Sequence, residues 1–182
     1  GQLNFVCDLA RKAACEQIGF PVDRQLEPKH TAAVQKLNFF ANVFGDQYLT
    51  SYKYCDHIMV HKRQGTPEVF YDRGELFDLS DFAYFRNLND LVLIFQKFND
   101  LSPLQGLPIK YLDISCNQLS SLAPLATLQQ LKTLYLDFSS YDSLLPLNQL
   151  NHLNLFSAND ISTSAFGELC QLSLPNLLHL NI

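Results

Sequence analysis

The chain has 182 residues, 47% of them hydrophobic and only 17% charged, enough for one packed domain or a short cap on a repeat array. Its net charge of −5 is concentrated after residue 66, where five Lys/Arg meet twelve Asp/Glu and no basic residue follows Lys132. That sign argues against DNA, RNA or an anionic membrane as the main ligand, because each must be met by positive surface. No stretch approaches the roughly 18–20 apolar residues of a membrane span.

Residues 1–66 read as a helical cap. Leu3, Val6, Leu9, Ala10 and Ala13 recur at helical spacing over 3–18, and Gly19-Phe20-Pro21 stops that helix. A second helix is expected from Pro28 to Phe44, with Val34, Leu37, Ala41 and Phe44 as its apolar stripe and Gly45 closing it. Tyr52, Tyr54, Ile58 and Val60 have strand character and Gln64-Gly65-Thr66-Pro67 is a turn signal, so 48–66 reads as a hairpin, with a third helix as the alternative.

From residue 67 a repeat takes over. Strand cores fall at Val69-x-Tyr71, Leu91-x-Leu93, Leu112-x-Ile114, Leu134-x-Leu136 and Leu153-x-Leu155, and Leu180-x-Ile182 begins a sixth, at intervals of 22, 21, 22, 19 and 27. Such a period is the mark of a solenoid whose stacked units share one core. Pro103, Pro124 and Pro146 each stand directly before a repeat leucine. Proline gives no N–H to a sheet ladder, so those positions belong on the convex side. In the fifth repeat Ala165, Phe166, Leu169 and Leu172 have helical spacing, with Ser162 or Ser164 as the cap.

The run Leu112-Asp113-Ile114-Ser115-Cys116-Asn117-Gln118-Leu119, continuing to Leu122, Pro124 and Leu125, resembles the leucine-rich repeat family. The short repeats with a convex Pro-Leu look like its phosphatase-regulator subclass, found in bacterial internalins. The resemblance implies an α/β fold for 67–182, a leucine-rich repeat solenoid with a curved parallel sheet on its concave side. It also implies a non-enzymatic, bacterial protein-interaction module. In this family an asparagine ladder ties neighbouring coils. Here only Asn117 and Asn159 hold that place, Asn159 with a one-residue insertion, while Gly74, Gln96 and Ser139 replace it and predict a weaker ladder.

Side chains alternate along a strand, so the residues flanking each buried pair point to the concave face. Their columns hold several acids and aromatics and no Lys or Arg, which favours a protein partner with a basic or donor-rich surface. The expected contact residues are Phe70, Tyr111, Asp113, Tyr135, Asp137, His152, Asn154 and Phe156. The Tyr and Phe side chains would be anchors, the aspartates acceptors for basic groups, and His152 and Asn154 hydrogen-bonding partners. The bland counterpart is a solvated sheet whose acids keep it soluble.

Cys55-x-His57-x3-His61 offers donors that zinc would accept, but no fourth ligand sits at a recognisable spacing, so surface histidines are expected and no metal. Cys55 beside His57 lacks a third group to orient a thiol nucleophile. No phosphate loop, dinucleotide fingerprint or serine elbow occurs, so no catalytic residue and no cofactor are expected. Five cysteines at irregular spacing and no Asn-x-Ser/Thr site predict a reducing, cytoplasmic setting, with a secreted effector as the alternative. The chain stops two residues into a strand core at Ile182. This predicts a fragment of a longer protein, such as the targeting arm of an enzyme or effector, or else self-association through the C-terminal edge.

Overall fold

The computed structural model describes residues 1–46 and 68–182 in full, and the backbone of Tyr52–Cys55, Ile58–Arg63 and Thr66–Phe70. The chain opens with α1 (Asp8–Gln17), whose small side chains Ala10, Ala13, Ala14 and Cys15 are buried against the first coil. Two features hold it there. The N–H groups of Val6 and Cys7 at its N-terminus donate to the Asp81 carboxylate at 2.7 and 2.8 Å. On its flank the buried Arg11 bonds Asp8 and donates to the carbonyls of Val22 and Arg24, fixing the chain that follows the helix.

The helix expected over 28–44 is only one turn, α2 (Pro28–Thr31). It is followed by β1 (Lys36–Phe40) and β2 (Val43–Phe44). Leu37, Phe39 and Ala41 also alternate with period two, and tertiary pairing overrode the helical reading of the same leucine. β1 runs parallel to a later strand with Leu37 and Phe39 beside Leu91 and Leu93. The sheet's first parallel strand therefore lies within residues 1–66.

The expected hairpin is a three-stranded antiparallel sheet of β3 (Tyr52–Cys55), β4 (Ile58–Arg63) and β5 (Thr66–Phe70). Val69-x-Tyr71 is not a repeat core: Val69 pairs with Val60, and Val69 and Tyr71 are 43% and 70% exposed. The first coil instead uses Leu37-x-Phe39, leaves through residues 42–73 and resumes at Gly74, so that Leu76, Leu79, Phe82 and Phe85 complete its core.

The remaining coils follow the repeat: β6 (Asp90–Ile94), β7 (Tyr111–Asp113), β8 (Thr133–Tyr135), β9 (Leu155–Ser157) and β10 (His179–Asn181). The sheet order β10-β9-β8-β7-β6-β1-β2 is parallel except for β2 at its edge. Short 3-10 helices at Ser80–Tyr84, Ser102–Leu104, Ala123–Thr127 and Leu145–Gln149 form the opposite wall, and the three repeat prolines stand in their first turns. α3 (Thr163–Leu169) replaces the 3-10 helix in the fifth coil, where Ser162 Oγ accepts the Ala165 N–H. One parallel strand per coil and a continuous leucine core make this chain a leucine-rich repeat solenoid.

The fifth coil is shifted against the sequence reading. Leu134 pairs with Phe156, and Leu153, Phe156 and Ala158 are all buried while Leu155 is half-buried. Leu153 takes the place of Leu131, and the strand core is Phe156-x-Ala158.

Each of the first five coils leaves its strand through a residue in the left-handed region: Ala41, Phe95, Cys116, Phe138 and Asp160 have φ between 48° and 64°. The next position carries the inter-coil ladder. Asn117 Nδ2 donates to the Leu93 and Ile114 carbonyls, Gln96 Nε2 to those of Ala41 and Ile94, and Ser139 Oγ to that of Ile114. Gln96 and Ser139 thus keep the ladder bonded. Asn159 lies outside it, one place before the left-handed residue, and bonds Asp137.

Gly74 holds the ladder place in the first coil. A Cβ there would stand 2.1 Å from the Ala41 carbonyl oxygen and 2.3 Å from Gln96 Oε1. Gly74→Ala is therefore expected to cost about 2–4 kcal/mol in urea unfolding. Gly167→Ala in α3, where a Cβ meets nothing within 4 Å, is expected to stabilise by about 0.5–1 kcal/mol. Equal effects at the two sites would show that the coil junction is not tight.

Candidate functional site

The face of the sheet opposite the 3-10 helices is divided. Over the first coils it is already occupied. Phe40, Val92 and Ile94 from the strands, with the left-handed Ala41, Phe95 and Cys116, form a second apolar cluster, against which Val43, Phe70 and Tyr111 pack. Phe70, from β5, stands edge-on to Phe40 with ring centroids 5.3 Å apart. It was expected as a partner anchor, and the structure uses it to cover the protein's own sheet. The open face also carries Lys36, bridged to Asp46 at 3.6 Å, so it does not lack basic residues as the sequence register implied.

Past Tyr111 the face is less covered. The register sets Tyr111 beside Thr133 and Asp113 beside Tyr135, and the two tyrosine rings lie 5.8 Å apart, both half-buried. Thr133 and Leu155 are half-exposed next to them, and His179 and Asn181 are exposed at the far strand.

Beneath the tyrosines lie two buried acids. Asp113 is only 7% exposed, and burial raises its carboxyl to about 6; the N–H of Ser115, 3.0 Å away, works against that shift and Asp137 adds to it. Asp137 is equally buried but well bonded: its Oδ1 accepts from Ser157 Oγ, the Asn159 N–H and Asn159 Nδ2. Burial also pushes the Tyr111 hydroxyl up, reinforced by Asp113. Among the described residues no cation is set against Asp113, whose bonding partner is the Ser115 N–H.

The structure thus brings Tyr111, Asp113, Tyr135 and Asp137 together. It does not bring in the rest. His152 and Asn154 precede β9, His152 exposed and Asn154 half-buried with its carbonyl accepting the N–H groups of Leu178 and His179. Phe156 is fully buried in the leucine core and cannot be a contact residue, because the strand core of the fifth coil lies three residues further along than read, an odd shift that turns it inward. The side chains of Cys55, His57 and His61 lie outside the described residues. Cys116, the buried thiol of the face, is pushed up by burial and is not poised as a nucleophile.

Sequence reasoning missed Arg73. Its Nη1 donates to the Gln96 and Cys116 carbonyls and its Cζ lies 4.9 Å from the Phe95 ring centroid. Only the position of residues 42–73 puts it there, and no sequence pattern marks that. Among the described residues, no group of three or more His, Cys, Asp or Glu could hold a metal ion and no helix is long and apolar enough to cross a membrane.

No protein-family model matches the chain. No curated protein matches it either. Among solved structures, an internalin C2 from Listeria monocytogenes is similar, with 22% identity and a TM-score of 0.48, covering 95% of this chain and 92% of that one. An internalin (inlF) from the same organism follows, with 19% identity, a TM-score of 0.42 and 96% and 68% covered. These values are too low to assign membership, and the fold stands on the repeat geometry described above.

The acid makes a testable difference. Asp113 has a folded value of about 6 against an ordinary 3.8, so its contribution to stability is fully present below 3.8 and is lost as pH rises through about 6. Asparagine keeps the acceptor for Ser115 and removes the charge. Asp113→Asn is expected to be more stable than the native chain by about 2–3 kcal/mol at pH 7.5, a gain that vanishes near pH 4. Stability curves that run parallel across that range would show that Asp113 is not held up by burial.

Proposed function

We propose that this leucine-rich repeat solenoid is a protein-interaction module that holds its partner on the open face of β7 to β10. The observation that carries this reading is the Tyr111–Tyr135 pair, rings 5.8 Å apart and half-exposed, at the border where the chain's own cover ends. Two adjacent aromatics fixed on neighbouring strands offer contact area at little entropic cost, the usual composition of an interface centre. Thr133, Leu155 and His179 continue the row. The partner would bring basic or donor groups, because the surroundings are acidic: burial raises both Asp90 and Asp113, and a positive neighbour such as Lys36, which already lowers Asp90, favours the charged form of such an acid.

The test is retention of a partner from the source cell's lysate by immobilised protein. The native chain and Leu145→Ser, a change at an exposed leucine on the opposite wall, are expected to retain the same protein. The Tyr111→Ser/Tyr135→Ser chain, with its fold checked by circular dichroism, is expected to lose it by about tenfold or more. Undiminished retention by the double variant would move the site off the open face.

A further inference from the structure

Two neighbouring coils repeat one pattern on the open face. Tyr111-Leu112-Asp113 and Tyr135-Leu136-Asp137 each set a tyrosine two residues before an aspartate. The register adds a second aspartate directly across the preceding strand, Asp90 beside Tyr111 and Asp113 beside Tyr135. Asp113 is therefore common to both rings, which lie 5.8 Å apart.

The three acids differ in what they already hold. Asp137 is filled, because its Oδ1 accepts from Ser157 Oγ and twice from Asn159. Asp113 is bonded by Ser115 alone among the described residues. Asp90 is half-buried and accepts no hydrogen bond among them. Lys36, beside it on β1, lowers its carboxyl, but the ion pair of Lys36 runs to Asp46 at 3.6 Å. Burial raises Asp90 and Asp113, so the fold disfavours the charged form of both, and an asparagine at 113 would serve the Ser115 N–H without that penalty. Acids held against the preference of their own fold gather at functional sites.

We infer that the Tyr111–Tyr135 pair, with Asp113 shared between the rings and Asp90 on the flank, seats an arginine side chain of the protein partner. The guanidinium stacks on a tyrosine ring and donates to Asp113. Asp90 stands about 5 Å from Tyr111 across the strands and Asp113 about 7 Å along its own strand, Cα to Cα, so a guanidinium with N–H groups on three edges reaches both flanks. A lysine ammonium is a compact, strongly hydrated charge without a flat face to stack. The chain uses the same stacking internally, where the Arg24 Cζ lies 4.3 Å from the Phe20 ring centroid. Among the described residues Asp46, Asp90 and Asp113 stand here against Lys36 alone, so the local charge is negative. Asp113 keeps 7% of its surface exposed, and rotation of the half-exposed rings, a common adjustment on binding, opens it further.

This inference rests on the interaction-module reading for where the arginine comes from, and its test needs no partner. The probe is N-acetyl-arginine-methylamide, titrated into the isotope-labelled chain to tens of millimolar, with the Tyr111, Asp113 and Tyr135 amides and both tyrosine rings followed by NMR. Saturable shifts centred on those groups are expected. The uncharged citrulline analogue is expected to give none, and the lysine analogue a binding at least about fivefold weaker. Asp113→Asn, which is expected to stabilise the fold at pH 7.5, and Tyr135→Leu, whose own spectrum reports that it folds, are each expected to weaken the arginine probe by about fivefold. Glu16→Gln, a change at an exposed acid of α1, is expected to leave it unaltered. Shifts that do not saturate, that centre elsewhere, that citrulline reproduces, or that survive Asp113→Asn undiminished would overturn the site, as would a lysine analogue that binds equally well. A partner lost with Tyr111→Ser/Tyr135→Ser, together with no arginine binding, would remove this seat and leave the interaction module standing.

Discussion

Carbonyls buried where each strand leaves the sheet have no water to bond, and the coil stack depends on side chains that reach them. An unmet buried acceptor costs about 1–3 kcal/mol. Asn117 serves two such carbonyls, in its own coil and the one before, and Gln96 and Ser139 do comparable work with different reach. The ladder also explains the turn beside it. Phe95, Cys116 and Phe138 hold a left-handed backbone that costs a non-glycine residue about 1 kcal/mol or more, and that turn delivers the following side chain to the carbonyls.

The same junction accommodates the longest departure from the repeat. Residues 42–73 leave directly after the left-handed Ala41 and return at the ladder place itself, so the core on either side is undisturbed. Glycine there and glutamine, not asparagine, in the next coil form a matched pair. The space Gly74 leaves empty is filled by the longer amide of Gln96, which bonds Ala41 across the gap and accepts the Leu76 N–H. The returning segment is then tied to two further coils by Arg73.

Most of the coil pattern was legible, because leucine at fixed spacing has one cheap explanation in a shared core. Leu91, Leu112 and Leu134 fell where read, as did the helix of the fifth coil with its Ser162 cap. Two errors have the same origin: a local motif was preferred to the period. Val69-x-Tyr71 looks like a core but pairs within the inserted sheet, while the true first core lies 54 residues before Leu91 and is hidden by the insertion. Leu153-x-Leu155 looks like Leu134-x-Leu136, yet the leucines at 144, 147, 150 and 153 repeat those at 122, 125, 128 and 131, which places the next core at Phe156. Of the candidate site, the tyrosine and aspartate positions followed from register alone. That Phe70 covers its own sheet depends on how an inserted segment folds back, and alternation along a strand carries no such information.

A solenoid makes function a question of which equivalent places are taken. Its coils offer nearly the same face several times over, so a segment of the chain that fits one coil shows what another could hold. Here the first coils are filled from within, by Phe70 on the apolar side and Arg73 at the exits. The later coils keep the same backbone arrangement and change the side chains toward water: the half-buried Tyr135 stands in the row of the buried Val92, and Phe138 is more than a third exposed. On the proposed reading the insertion therefore sets the limits of the binding surface, because it covers the first coils and would leave a partner only the coils that differ in charge and polarity.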